Sequence, residues 1–152
     1  MVMMACEPST EPGVPEGAVQ LTMEEVPQSV AQYLYSGIPD KRRLYVDNAN
    51  DWAALWAEVT EPYIPKPELP VIDFATEAVI VASMGTRGSG GYSIVIEGVY
   101  EAENTIFVEV REISPGSNCI TTQAITAPVY AVRAPRRDFT VKFIERTETR
   151  MC

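Results

Sequence analysis

The sequence contains no histidine, and this absence removes several kinds of chemistry. Ser-His and Cys-His activation, histidine metal ligands and the commonest general base are all excluded. Only three cysteines occur, and their wide spacing offers no C-x-x-C metal motif. Carboxylate pairs of the glycosidase kind depend on distance in space, but nearly all acids here fall in the N-terminal segment, on strand faces or in turns. We therefore expect no enzymatic activity, no catalytic residue, no metal and no cofactor.

Basic residues and long apolar stretches are also scarce. The chain has 12 Lys and Arg against 21 Asp and Glu, giving a net charge of −9. Nucleic acid is an unlikely partner, because binding it requires a basic patch. The nearest candidate is formed by Arg133, Arg136, Arg137 and Lys142, which nearby acids dilute and which we interpret as a solvated strand edge. No stretch approaches the roughly 20 apolar residues of a membrane span, so any membrane link is a lipid anchor.

The N-terminus resembles part of a bacterial export signal. Met3-Met4-Ala5-Cys6 is similar to the end of a lipoprotein signal, and the following residues, through Gly17, are rich in Pro, Glu and Gly. Such a segment buries too little apolar surface to fold and suits a tether. Only five residues precede Cys6, too few for a signal peptide. Either the natural start lies upstream, or Cys6 is a free thiol near a disordered terminus.

These features divide the chain into a tether, residues 1–17, and one domain, residues 18–152. With Cys6 as the lipid attachment site, an exported protein would retain Cys119 and Cys152 as a disulfide pair. We expect the protein in the bacterial cell envelope, lipid-anchored and periplasmic or surface-exposed.

One amphipathic helix is predicted after Asn48, which can cap it, with Asp51 in the first turn. Its apolar side chains recur at i, i+3, i+4 and i+7, the spacing of one helix face. These residues are Trp52, Leu55, Trp56 and Val59. Core packing on a sheet is one interpretation, and a ligand platform built on the two tryptophans is the other.

The rest of the chain favours strands. The unbroken apolar run over 78–82 predicts a central strand covered on both faces. Alternation over 92–100 and 105–113 predicts a hairpin around the turn 101–104. Further strands are expected over 19–22, 32–35, 42–46, 125–132 and 138–145, with Pro128 placing the strand that contains it at an edge or bulge. The expected fold class is α+β: a mainly antiparallel β sheet or sandwich with one helix packed on it.

The most informative stretch is the glycine-rich loop between the strands over 78–82 and 92–100. It reads Gly85-Thr86-Arg87-Gly88-Ser89-Gly90-Gly91-Tyr92. A phosphate-binding loop would open into a helix and carry a lysine, whereas a strand follows this loop. Two interpretations stay open: a structural loop whose glycines allow positive φ, or a display site for a partner, in which Arg87, Gly88, Ser89, Gly90, Gly91 and Tyr92 make the contact.

The same loop resembles the G-x-[RK]-x-[ST]-G-G-Y signature of the PrcB C-terminal domain family. The resemblance extends over about residues 45–146 and includes Trp52-Ala53-Ala54-Leu55-Trp56, Pro115-Gly116 and Ala127-Pro128-Val129-Tyr130. Members are exported bacterial proteins named after a lipoprotein that stabilises a surface protease complex. The resemblance implies a non-catalytic envelope domain with a protein partner, possibly a protease complex. The pair Cys119 and Cys152 departs from the family's pattern.

Two classes of function follow. The first is an interaction module whose loop docks on a partner; a variant of it is a loop-inserting protease inhibitor, since the loop is similar to the glycine-and-aromatic loop of chagasin-like inhibitors. The second is a small-ligand or glycan-binding β domain that uses Trp52, Trp56 and Tyr63 as stacking surfaces. Exposure of the tryptophans separates the two classes, because stacking surfaces must be exposed.

Overall fold

The computed structural model describes residues 13–26 and 34–152, which form two four-stranded sheets and one helix. Cys6 and most of the expected tether lie outside the described residues. In chain order the elements are β1 (Val19–Gln20), β2 (Glu24–Glu25), β3 (Lys41–Val46), α1 (Ala49–Val59), β4 (Glu77–Met84), β5 (Ser93–Ala102), β6 (Thr105–Pro115), β7 (Val129–Pro135) and β8 (Thr140–Arg150).

The two sheets are mostly antiparallel, as the sequence predicts. Sheet I has the order β1-β5-β6-β8, and sheet II has the order β2-β7-β4-β3. β6 and β8 are the exception: they pair in parallel along their whole lengths. β5 and β6 form the predicted hairpin, whose turn places Glu103 and Asn104 at φ values of 50° and 56°. Positive φ at both central residues is the two-residue turn that matches strand twist.

β4 is buried on both faces and joins two apolar layers. Its residues Ile80, Ala82 and Met84 pack between the sheets, against β5 and β6 residues. Val79 and Val81 point the other way, into a second cluster with the helix. This arrangement confirms the predicted central strand, because an unbroken apolar run can satisfy two buried faces at once.

The helix begins and packs as its sequence predicts. Asn48 Oδ1 accepts a 2.8 Å hydrogen bond from the Asp51 amide. Trp52 and Trp56 are only 2% and 5% exposed, and their indole N–H groups donate to the carbonyls of Pro70 and Pro67. The proline-rich segment therefore closes over both rings. The interpretation of these tryptophans as a stacking platform for ligands is wrong, because the sheet and this segment cover them.

Other strand boundaries differ from expectation. The strand expected over 125–132 runs instead from Val129 to Pro135, between β2 and β4 rather than at an edge. Pro128 precedes it, where its missing N–H costs no ladder bond. The strand expected over 19–22 is only Val19–Gln20. Residues 32 and 33 lie outside the described residues; of that expected strand, Tyr35 forms an isolated bridge with Ala127.

The strand directions give the sandwich two distinct ends. At the loop end, β4 finishes, β5 and β7 start, and β6 and β8 finish, so the connections 85–92 and 116–128 meet there. At the hairpin end lie the turn 103–104 and the connection 136–139. The glycine-rich loop thus belongs to one end and shares it with the connection between β6 and β7.

Candidate functional site

The glycine-rich loop crosses from sheet II to sheet I and rests on the connection 116–128. The Arg87 amide donates to the Thr126 carbonyl at 2.7 Å, and the Thr126 amide donates back to Arg87 at 3.0 Å. Near the other end of the loop, the Gly90 amide donates to the Thr122 carbonyl at 3.0 Å. These bonds pair the two connections like a short ladder, so the loop has a defined backbone path.

Three of the glycines are required by geometry. Gly85 and Gly91 have φ values of 79° and 92°, which only glycine adopts readily. A Cβ on Gly91 would lie 2.9 Å from Thr121 Cγ2, and one on Gly90 would overlap the Thr122 hydroxyl. Gly88 differs, since a Cβ there would meet nothing within 4 Å. The structural interpretation of the glycines accounts for three positions and leaves the exposed tip, Gly88, unexplained.

The loop holds its arginine against its tyrosine. The Arg87 guanidinium carbon lies 5.3 Å from the centre of the Tyr92 ring, within the range of a cation–π contact. Arg87 Nε is buried and has no hydrogen-bond partner among the described residues. Tyr92 is half-buried and packs against the inter-sheet core, directly before β5. A charged group is thus fixed in place by a ring that is itself anchored in the sandwich.

Ser89 makes two hydrogen bonds within the loop end. Its hydroxyl donates to the Gly90 carbonyl at 3.1 Å, and its carbonyl accepts the Thr126 hydroxyl at 2.9 Å. The residue therefore fastens the loop to the neighbouring connection. The structure does not test whether Ser89 or any other loop residue touches a partner, so that part of the hypothesis stays a prediction.

A groove of about 370 Å³ lies beside Tyr92. Its walls come from three places in the sequence: Tyr92, the exposed Ile120, and Arg150 at the end of β8. Leu34 also lines it. Five of the nine large apolar side chains exposed in the described residues lie at this end of the sandwich: Leu34, Tyr35, Ile120, Ile125 and Met151.

The two downstream cysteines lie next to this groove. Cys119 and Cys152 are at disulfide-bonding distance, with Cα atoms 5.1 Å apart. The Gly116 amide donates to the Arg150 carbonyl at 2.8 Å, and Asn118 Nδ2 donates to the Cys152 carbonyl at 2.6 Å. The pair ties the chain just before Ile120 to the end of β8. The sequence offered the pairing but gave no reason to connect it with the glycine-rich loop.

The loop end carries little negative charge. No Asp or Glu occurs in residues 84–96 or 113–137, although the chain has 21 of them. Two carboxylates near this end, Asp40 and Glu112, are each in ion pairs. The hydrogen bond from Arg42 lowers the pKa of Asp40 below its usual value, so this carboxylate is ionised at neutral pH and already engaged.

A buried ion pair beneath this end was not predicted. Ile106, Val108 and Val110 point into the core, and Glu112 continues the same inward row. Arg43 of sheet II meets Glu112 at 2.8 Å and Glu145 at 2.6 Å. Burial opposes the charge of Arg43, but the two carboxylates outweigh it and raise the pKa of Arg43. The sequence does contain a signal for this pair: Glu112 occupies the next inward position after three alternating apolar residues of β6.

The basic residues of β7 and its following connection are in ion pairs and do not form a bare patch. Arg133 pairs with Glu24 and Arg137 with Glu101, while Arg136 donates to the Phe74 carbonyl at 2.8 Å. The interpretation as a solvated strand edge is wrong for Arg133, because β7 is an interior strand, whereas Lys142 is exposed on the edge strand β8. Within residues 13–26 and 34–152 no cluster of three or more metal-ligating side chains occurs. No helix in those ranges has the length and apolar character to cross a bilayer.

The comparisons with known proteins give one match. Neither the curated proteins nor the solved structures include a significant relative of this chain. A family model described as PrcB C-terminal matches residues 78–135, which run from β4 to the last residue of β7 and include both loop-end connections. Residues 78–135 of this chain thus match the PrcB C-terminal family, as the loop signature indicates.

Proposed function

We propose that this protein is a cell-envelope interaction domain that binds and stabilises a protein partner such as a protease. The observation that carries the proposal is the Arg87 side chain, fixed on Tyr92 at one end of a β sandwich without an acceptor for its Nε among the described residues. The PrcB C-terminal family is a stabilising type of domain and not an enzyme family, which supports a non-catalytic role.

The physical basis is the prior ordering of the loop. Backbone hydrogen bonds to Thr122 and Thr126 hold it before any partner arrives, so binding loses little further conformational entropy. Arg and Tyr are residue types that dominate binding energy at protein interfaces. Gly88, exposed at the tip, lets a partner backbone approach closely.

The proposal includes attachment to the membrane through a lipid on Cys6. Its support is the Met3-Met4-Ala5-Cys6 sequence and the Pro- and Glu-rich residues that follow, all of which lie outside the described residues. The gene should be expressed with its upstream region and the product partitioned into detergent. A lipid-modified protein enters the detergent phase with a raised mass, and Cys6→Ser should remain in water. Equal membrane binding by both forms would contradict lipidation.

The docking role is tested with Arg87→Ala. The partner is first captured from native envelopes by crosslinking to the wild-type protein, and its affinity for purified variants is then titrated. We expect Arg87→Ala to weaken binding by about 1–3 kcal/mol, with an almost unchanged melting temperature. If the partner is a protease, it should stay active in the complex; loss of proteolysis would indicate a loop-inserting inhibitor instead.

The matched control is Arg146→Ala. Arg146 is about half exposed and lies 3.8 Å from its nearest carboxylate partner, so its removal disturbs little. Arg136 is unsuitable, because it donates to backbone carbonyls of Phe74 and Asp47. An equal loss of affinity in Arg87→Ala and Arg146→Ala would indicate diffuse electrostatics and contradict docking through this loop.

A further inference from the structure

We infer that the groove beside Tyr92 takes an extended partner segment that carries a carboxylate next to an apolar side chain, and that Arg87 and Arg150 hold the carboxylate. The inference rests on the proposed function and names the chemistry that the docking surface recognises. It adds Arg150 and Ile120 to the glycine-rich loop as contact residues.

The arginines of this protein differ in whether they pair with a carboxylate. Of the arginines in the described part of the chain, only Arg87 and Arg150 lack an ion pair with a carboxylate. Those with a carboxylate partner are Arg42, Arg43, Arg111, Arg133, Arg136, Arg137 and Arg146. Both exceptions belong to the loop end: Arg150 lines the groove, and Arg87 stacks on the ring that lines it.

The groove end of the sandwich lacks competing negative charge on its two connections. The two connections that meet here hold no acid, within a chain whose net charge is −9. Asp40 and Glu112 at the same end are bound to Arg42 and Arg43. An incoming carboxylate would therefore meet cationic partners without repulsion from a free acid on these connections. Guanidinium groups bind carboxylates through paired N–H donors, which favours this ligand over a neutral one.

Exposed apolar side chains lie at the same end of the sandwich. Ile120 is fully exposed, Ile125 is 70% exposed and Met151 is 86% exposed. Single exposed apolar side chains are ordinary, but a group of them at one end of a domain marks an interaction surface. Of these three, Ile120 lines the groove itself. The Cys119–Cys152 pair holds the chain before Ile120 in place. The surface therefore offers a carboxylate site and an apolar site side by side, the pattern of a short linear peptide.

The test is selection from a phage-displayed library of linear peptides. The library is panned on the wild-type protein and, separately, on Arg87→Ala/Arg150→Ala. We expect the wild type to enrich peptides with Asp or Glu beside an apolar residue, and the double variant to bind them about tenfold or more weakly. A Glu→Gln version of the best peptide should lose a similar factor, and NMR shifts on titration should map to residues 85–92, 120–122 and 150.

Three outcomes would overturn the inference. Enrichment of no peptide, or of peptides without an acid, would exclude carboxylate recognition. Equal binding to wild type and double variant would place the contact elsewhere. Deleting residues 1–12, which include Glu7 and Glu11, should leave the NMR amide signals of the groove unchanged. A change in those signals would show that the chain's own N-terminal segment occupies the groove. The native partner could require Arg87 but not Arg150 for binding, while the library enriches no acidic peptides. That result would refute this inference and leave the proposed function standing.

Discussion

The two ends of the sandwich differ in the pairing of their arginines and in how many large apolar side chains they expose. At the hairpin end, Arg137 pairs with Glu101, and the Arg137 amide donates to the Tyr45 hydroxyl at 3.0 Å. At the loop end, Arg87 and Arg150 have no carboxylate partner within the described residues, and apolar side chains such as Ile120 face solvent. The loop end thus combines matched pairs such as Arg43–Glu112 with two arginines that have no carboxylate partner among the described residues.

Connection geometry explains part of this difference. The hairpin end contains one turn within a sheet, through Glu103 and Asn104, and one short connection between the sheets, residues 136–139. The loop end contains two connections that pass between the sheets, and they cross at the Arg87–Thr126 bridge. Close crossing requires small residues, and backbone hydrogen bonds fix the loop, so the Arg87 side chain is not needed to shape it. The loop end can therefore have a fixed backbone while its Arg87 side chain has no carboxylate partner among the described residues.

The largest expected effect concerns the ion pair beneath the loop end. Arg43→Met should reduce the free energy of unfolding by about 3–5 kcal/mol, because it leaves Glu112, only 9% exposed, without its main partner. Urea denaturation measures the change. The double variant Arg43→Met/Glu112→Leu should recover most of the loss, and a single variant as stable as wild type would show that the pair does not join the sheets.

Loss of the Cys119–Cys152 pair should have the next largest effect on stability. We expect a disulfide in protein exported to an oxidising compartment, shown by mass mapping after thiol alkylation without reductant. Its sequence separation of 33 corresponds to about 3–4 kcal/mol of stabilisation in the chain-entropy model. Cys152→Ser should lower the melting temperature and speed amide exchange around 116–122 more than at the hairpin end. Two freely alkylated thiols would contradict the bond.

A pair of glycine variants tests the loop itself. Gly91→Ala should cost about 1–3 kcal/mol, because φ is 92° and the Cβ would press on Thr121 and Pro115. Gly88→Ala, with open space around the Cβ, should be neutral or stabilising by up to about 1 kcal/mol. Thermal unfolding compares the two. Equal effects would show that the loop is not held in the described conformation.

The smallest effect is expected at the hairpin end. Glu101→Gln removes the 2.8 Å pair with Arg137, whose side chain is 34% exposed. Water screens such a pair, so the loss should stay below about 1 kcal/mol. Urea denaturation in low and high salt provides the measurement. A loss of unfolding free energy as large as that of Arg43→Met would contradict the view that water screens the Arg137–Glu101 pair and does not screen the buried Arg43–Glu112 pair.

The fold could be predicted where burial leaves a periodic signal. The helix face, the two-sided strand β4 and the β5–β6 hairpin were confirmed, because each pattern reflects one or two buried faces. The strand containing Pro128 was placed wrongly, since Ile125 to Val132 is apolar but its first half crosses between sheets as the loop-end connection. Periodicity does not report which sheet a residue belongs to.

The candidate site was predicted only in part. The sequence singled out Arg87 to Tyr92 as a glycine-rich display loop, and the glycine positions follow from backbone sterics that are local. Ile120, Arg150 and Leu34 could not be connected to that loop, because they meet it through the long-range pairing of β6 with β8 and through the Arg87–Thr126 bridge.

Taken alone, the amino-acid sequence determined the composition limits, the helix and strand segments, the family resemblance and the loop that carries the signature. These depend on local conformational preference and on short-range periodicity. Only the tertiary structure decided that the tryptophans are core, that Arg43 meets Glu112, and that Arg150 lines the same groove as Tyr92, the ring on which Arg87 stacks. Those facts depend on which strands become neighbours, and strand neighbours are selected by burial of the whole core rather than by any segment of the chain.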